Sequence, residues 1–142
     1  MSKYLIKGAS LYGEKVADIL IEDGVISRIA ENIDAADAQV VEAAGQVALP
    51  GLVDIHTHLR QPGYEASETV ETGTRAAALG GYTAVFAMAN SMPVADTAAV
   101  VEQVDRLGKE SGWCRVQPIG AVTVGLKGER LSDIGGMANS TA

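Results

Sequence analysis

The run Pro50-Gly51-Leu52-Val53-Asp54-Ile55-His56-Thr57-His58-Leu59-Arg60-Gln61-Pro62-Gly63 marks a change in the character of the chain. Its apolar start reads as a buried strand, punctuated by Pro-Gly at either end. Side chains two apart on a strand point the same way. His56 and His58 therefore project together from the strand's carboxyl end, with Asp54 one step deeper on that side. They are the only two histidines in the chain. Two imidazoles on one rigid strand suit a divalent cation of borderline softness, typically zinc. A single strand histidine is more often a packed or surface residue. Here the pair follows an apolar run and is flanked by Asp54 and Arg60, a polar constellation that a plain core strand does not need. A catalytic zinc takes three protein ligands and keeps a position for water. Cys114 lies in a different unit; Asp54, on the same face, could be a further ligand but reads better as a supporting or interior residue. The remaining ligands are expected outside these residues.

Downstream the rhythm alternates. A helix is predicted over Ser67–Leu79, ended by Gly80-Gly81, and a strand over Tyr82–Met88. A second helix is predicted over Thr97–Ser111, with Val100, Val101, Val104 and Leu107 on one face, Asp96 or Thr97 at its start and Gly112 at its end. Its polar side sets Glu102 four residues before Arg106, and Asp105 four before Lys109. A third strand is predicted over Arg115–Val122, with Pro118 an irregularity, and a third helix begins in Leu131–Ala142. Strand–helix alternation builds a parallel sheet covered by helices. Glu68, Glu71 and Arg75 read as a solvated face of the first helix.

Upstream, residues 1–49 have the pattern of short strands. Asp18–Glu22 and Val25–Ile29 flank Asp23-Gly24, a strong hairpin signal because both turn residues tolerate positive φ. Tyr4–Ile6, Val40-Val41 and Val47–Leu49 add shorter strands. This β unit is thin for an independent core. The division is thus 1–49, a β unit, and 50–142, about three βα units.

The composition agrees with a packed α/β chain: 47% of residues are hydrophobic and 20% charged, and the net charge is −7. An acidic chain without a basic cluster lacks the means to hold a phosphate backbone, so neither nucleic acid nor an anionic membrane surface is an expected partner. One cysteine excludes an internal disulfide. No apolar run approaches the ~20 residues of a bilayer span, and the amino terminus does not read as a signal peptide. These features predict a soluble, cytoplasmic protein.

Pro-Gly-Leu-Val-Asp-Ile-His-Thr-His at 50–58 resembles the first-strand signature of the amidohydrolase superfamily. The stretch His58–Gly63, and Gly80–Ser91 with Asn90 near its end, resemble the dihydroorotase branch, in its long-chain bacterial class. The resemblance runs the full 142 residues. Two positions depart from many relatives: Gln61 stands where they have an acidic residue, and Ala89 where they have Pro. The resemblance implies a distorted (β/α)8 TIM-like barrel, of which residues 50–142 supply the first three units. It implies that residues 1–49 form half of a small composite β-sandwich. An eight-unit barrel takes about 250 residues, so the chain reads as an amino-terminal fragment, inactive by itself.

By the same resemblance His56 and His58 hold one or two zinc ions, and His58, Arg60 and Asn90 meet the substrate, with Arg60 and Asn90 gripping a carboxylate. The catalytic Asp is expected in sequence beyond Ala142. The implied reaction is the reversible cyclisation of N-carbamoyl-L-aspartate to L-dihydroorotate in pyrimidine synthesis. Homo-oligomers or association with aspartate transcarbamoylase are implied partners besides the small-molecule substrate. Two alternatives stay open. An allantoinase or hydantoinase is disfavoured by Arg60, because those substrates do not present the same carboxylate. A non-catalytic scaffold subunit of aspartate transcarbamoylase is disfavoured by the retained histidine pair.

Overall fold

The computed structural model of the chain describes residues 2–141. It divides into two compact units, one ending at Pro50 and the other beginning at Gly51.

The first unit is a five-stranded sheet of β1 (Lys3–Leu11), β2 (Lys15–Glu22), β3 (Val25–Ala30), β4 (Gln39–Glu42) and β5 (Val47–Ala48). Its order is β3-β2-β1-β4, with β5 also paired to β1. The Asp23-Gly24 turn joins β2 to β3 with both residues at positive φ, 49° and 81°, the twist that suits a two-residue hairpin. A second hairpin, β1 to β2, turns at Tyr12-Gly13. The sequence showed only Tyr4–Ile6 of β1, because Gly8 interrupts its apolar alternation. At that point β1 bulges: Ile6 pairs with Ile19 and Ala9 with Ala17, so two residues face one. Asp18, 4% exposed, sits opposite the bulge. Its carboxylate accepts the amide of Gly8 at 2.8 Å and that of Ile33 at 2.9 Å. These bonds hold its carboxyl below the usual carboxylate range. Leu5, Leu20 and Ile33 form the small core.

The second unit is a parallel three-stranded sheet, β6 (Leu52–Thr57), β7 (Tyr82–Ala87) and β8 (Arg115–Pro118), in sequential order. The crossovers carry α1 (Val70–Leu79) and α2 (Ala98–Ser111). Leu59, Val70, Val85, Ala87, Val104 and Val116 make one buried cluster. Ala89, Ala95, Val100, Val101 and Ala121 make another beneath the loops that follow the strands.

Several boundaries differ from the sequence reading. Helix α1 starts at Val70 rather than Ser67, because Thr69 and Thr72 exchange capping hydrogen bonds and define the first turn. Strand β8 stops at Pro118, which has no amide hydrogen to continue a ladder. Thr97 is the N-cap of α2 without a side-chain bond, and the Asp96 carboxylate instead accepts the amide of Gly125 at 2.8 Å. Gly112, at φ 67°, ends the helix. Lys109 pairs with Asp105, whereas Arg106 pairs with Glu110 at 3.0 Å and not with Glu102. Glu102 is taken by the amide of Thr141. The third helix, α3 (Ile134–Ala138), is one short turn capped by Asp133, and Leu131 instead bridges to Thr123. Ala142, the end of the expected helix, lies outside the described residues.

Candidate functional site

The site is built where β6 and β7 end. The register shifts by one residue just before this point, Asp54 pairing with Val85 and Thr57 with Ala87, and the amide of Met88 donates to the Thr57 carbonyl at 2.9 Å. The residues that follow each strand therefore emerge side by side. His56 lies on β6 and His58 one residue beyond it. Their rings are 5.2 Å apart between centroids, edge to face at 69°. They come together although β6 is irregular between Asp54 and Thr57. Asp54, deeper on it, turns its carboxylate to the amide of His56 at 2.9 Å. Across from β6, Asn90 follows β7, and its Oδ1 lies 2.9 Å from His58 Nδ1. With the amide oxygen as acceptor, Nδ1 carries the hydrogen of this bond, and Nε2 is the ring nitrogen turned away from Asn90.

Leu59 anchors the next step. It is 3% exposed and packs into the core between β7 and α1. The chain then turns at Arg60, which has a left-handed φ of 62°. The Gln61 amide donates to the Leu59 carbonyl at 2.7 Å, and the Tyr64 amide to the Arg60 carbonyl at 3.0 Å. The Gln61 side-chain oxygen accepts the amide of Val70, the first residue of α1, at 2.9 Å. The Pro62 carbonyl accepts the amide of Met92 at 2.9 Å. Gly63, at φ 98°, lies so close to Met92 that a Cβ would run into its backbone carbonyl. The Gly63 amide donates to Glu65 at 2.9 Å, which lowers the Glu65 carboxyl below its ordinary range.

The loops after β6 and β7 are thus bound to each other at two places, His58–Asn90 and Pro62–Met92. Arg60, Gln61, Asn90 and Ser91 line one small recess, which Pro118 and Ile119 after β8 also border. Among the described residues no carboxylate pairs with Arg60. The larger concavity, about 510 Å³, lies elsewhere, beside Gly108, Lys109, Gly112 and Cys114. It brings together no cluster of metal-ligating side chains.

The donor set suits a borderline-soft divalent cation in kind: two imidazoles close together, one of them oriented through its second nitrogen by an amide. It is short in number. Among the described residues no group of three His, Cys, Asp or Glu side chains comes together. Neither Asp54 nor Cys114 joins the pair.

The sequence reading passed over Gln61 as more than a departure from the family pattern, and over Met92 altogether. Gln61 reaches a residue nine positions on, across a turn, and no local periodicity reports such a contact. The only sequence cue was the density of turn formers in Gln61-Pro62-Gly63 and Ser91-Met92-Pro93.

Fold and site together define a parallel α/β unit with a histidine pair where its strands end. Among solved structures, the chain is similar to an L-hydantoinase (dihydropyrimidinase) from Arthrobacter aurescens, with a TM-score of 0.68 and 23% identity over 87% of this chain and 28% of that one. A D-hydantoinase (dihydropyrimidinase) from Thermus sp. matches with a TM-score of 0.62 and 29% identity over 84% and 28%. The family model described as dihydro-orotase-like matches residues 45–142. The chain belongs to that dihydroorotase-like family. A dihydroorotase of Streptomyces coelicolor is 64% identical over 142 residues, all of this chain and 33% of the relative. One of Mycobacterium leprae is 54% identical over 140 residues, 97% of this chain and 33% of the relative. The chain spans about a third of the length of the curated relatives it matches.

Proposed function

We propose that this chain is the part of a metal-dependent dihydroorotase that supplies the first two metal ligands and the carboxylate grip of the substrate site. One observation carries the reading. The histidine pair, Arg60 and Asn90 stand together at the carboxyl ends of two adjacent parallel strands, the end at which βα barrels place their chemistry. The relatives named dihydroorotase, at 64% and 54% identity, support the same reading.

In this proposal residues 50–142 are the first three units of a (β/α)8 barrel, and residues 1–49 are half of a composite sandwich. His56 and His58 hold a divalent cation, zinc by the chemistry of two imidazoles. When bound, such an ion supplies Lewis acidity that makes water a competent nucleophile near neutral pH. The further ligands and the general base, an aspartate, come from other parts of the longer polypeptide. Arg60 offers paired donors to the substrate carboxylate, a geometry guanidinium matches in two parallel bonds. Asn90 adds its amide nitrogen, while its oxygen stays on His58 and keeps that ring turned for ligation. The reaction is the reversible closure of N-carbamoyl-L-aspartate to L-dihydroorotate in cytoplasmic pyrimidine synthesis. In the hydrolytic direction an amide bond of the ring breaks and water supplies the hydroxyl of the new carboxyl group. Partners proposed are the small-molecule substrate and either a second copy or aspartate transcarbamoylase. In the described residues no helix is long and apolar enough to cross a membrane.

The test is to purify the natural gene product from its own organism, measure bound zinc, and assay both directions of the reaction beside hydantoin hydrolysis. Zinc with dihydroorotate turnover in both directions is the expected result. Hydantoin turnover without dihydroorotate turnover would reassign the substrate. A zinc-free, inactive product that copurifies with aspartate transcarbamoylase would make it a scaffold.

A further inference from the structure

We propose that Gln61 is a positioning residue for Arg60, its side-chain oxygen tying the turn that carries Arg60 to the start of helix α1. The inference rests on the reading of Arg60 and Asn90 as the carboxylate grip.

A helix leaves its first amides without intrahelical partners. In α1 the Thr69 hydroxyl takes the amide of Thr72, at 3.1 Å. The amide of Val70 is taken from outside the helix, by Gln61 Oε1 at 2.9 Å. The other end of this tether is fixed, because Val70 is 1% exposed and belongs to the core beneath the sheet. Immediately before Gln61 stands Arg60 at φ 62°. A non-glycine residue in that conformation is uncommon and costs energy that surrounding contacts offset. Backbone bonds supply part of the constraint, from Gln61 to Leu59 and from Tyr64 to Arg60. The Gln61 side chain adds the link from the turn to a rigid element, and the Pro62–Met92 bond links the same turn to the loop of Asn90.

Arg60 is exposed and has no carboxylate partner of its own among the described residues. Its direction therefore depends on the backbone beneath it. Loosening that backbone lets the guanidinium sample positions away from Asn90. The substrate carboxylate is then met by one group instead of two. Binding suffers before chemistry does, because the reacting bond lies at the metal end of the site. The role needs an acceptor of the right length, not an amide as such. Glutamate fits it, since a carboxylate at the first turn of a helix is also favoured by the helix dipole. Leucine has no acceptor, and asparagine is one methylene too short.

The experiment compares full-length wild-type enzyme with Gln61→Glu, Gln61→Asn and Gln61→Leu. It measures kcat and KM for dihydroorotate, zinc content and thermal midpoint. The expected result is a KM raised about ten-fold in Gln61→Leu and Gln61→Asn with kcat changed far less. Zinc content stays at the wild-type level, and Gln61→Glu returns KM to near the wild-type value. If Gln61→Leu does not fold, the Asn and Glu variants decide the matter between them. An unchanged KM in Gln61→Asn overturns the proposal. So does a loss of kcat in step with zinc, or a Gln61→Glu variant as impaired as Gln61→Asn. A wild-type enzyme without dihydroorotate turnover would instead sink the functional reading, and this inference with it.

Discussion

Arg60 and Asp18 show how much one side chain owes to the bonds around it. Arg60 is carried on a left-handed turn, and among the described residues no carboxylate pairs with its guanidinium. Arg60→Met in the full-length enzyme is expected to lower kcat/KM for dihydroorotate by about 100-fold, mainly through KM, because a charged pair of donors is lost. Arg60→Lys should recover only part of this, since an ammonium cannot make two parallel bonds; steady-state kinetics of the two variants check it. Asp18 plays a structural part, accepting two amides where β1 bulges. Its carboxyl is held below its ordinary value by those amides. The stability it contributes is therefore present above the unfolded-state pKa, about 4. It is lost as the pH falls through the lower folded-state value. Asp18→Asn keeps one acceptor and turns a donor toward the second amide, so it should destabilise the protein at pH 7. Denaturant melts of the pair from pH 7 to pH 3 should show the difference shrinking only below about pH 4. The nearness of His56 and His58 was legible in their spacing, because residues two apart meet without help from distant parts of the chain, although the irregularity of β6 beneath them was not. The ties of Gln61 to Val70 and of Asp18 to Gly8 and Ile33 were not, because they join residues that only folding brings together.

At the scale of elements, the sequence located each α-helix and strand of the second unit but not all of their ends, and it missed the short 3-10 turn at Val124–Leu126. The α2 face of Val100, Val101, Val104 and Leu107 repeats at the helical period, and a period of that kind survives any tertiary context. The ends depend on caps and neighbours. Thr69 rather than Ser67 opens α1 because its hydroxyl reaches the amide of Thr72. Thr69→Ala should cost about 1 kcal/mol, read as a lower denaturation midpoint. Gly108 records a close helix–strand approach that its sequence position did not announce. A Cβ there would lie 2.5 Å from Cβ of Val116, inside any permitted contact. Gly108→Ala should therefore destabilise by about 1–3 kcal/mol through overpacking, despite the better helix propensity of alanine. A Gly108→Ala variant more stable than wild type would contradict the packing described here.

At the scale of the whole molecule, each unit leaves apolar surface in contact with solvent. Val25, Ile26, Ile29, Val40 and Val41 are exposed on the sheet of the first unit. In the second, Leu52, Val53 and Ile55 are exposed on β6, an outer strand of its sheet, Ile55 at 73%. Exposed apolar residues on an unpaired strand edge invite association. The 142 residues expressed alone are expected to self-associate or aggregate. Light scattering after size exclusion checks this, and a monodisperse monomer with one cooperative melt would refute it. What the sequence determined by itself is the class of each α-helix and strand after Pro50, their alternating strand–helix rhythm and the nearness of the two histidines. All of these are set by periodicity and turn chemistry within a few residues. The tertiary structure decided which loop lies against which, that Asn90 reaches His58, and that Gln61 and Met92 hold the turn of Arg60. Those contacts span up to 32 residues. They exist only because parallel pairing of β6 with β7 sets the two strand ends side by side.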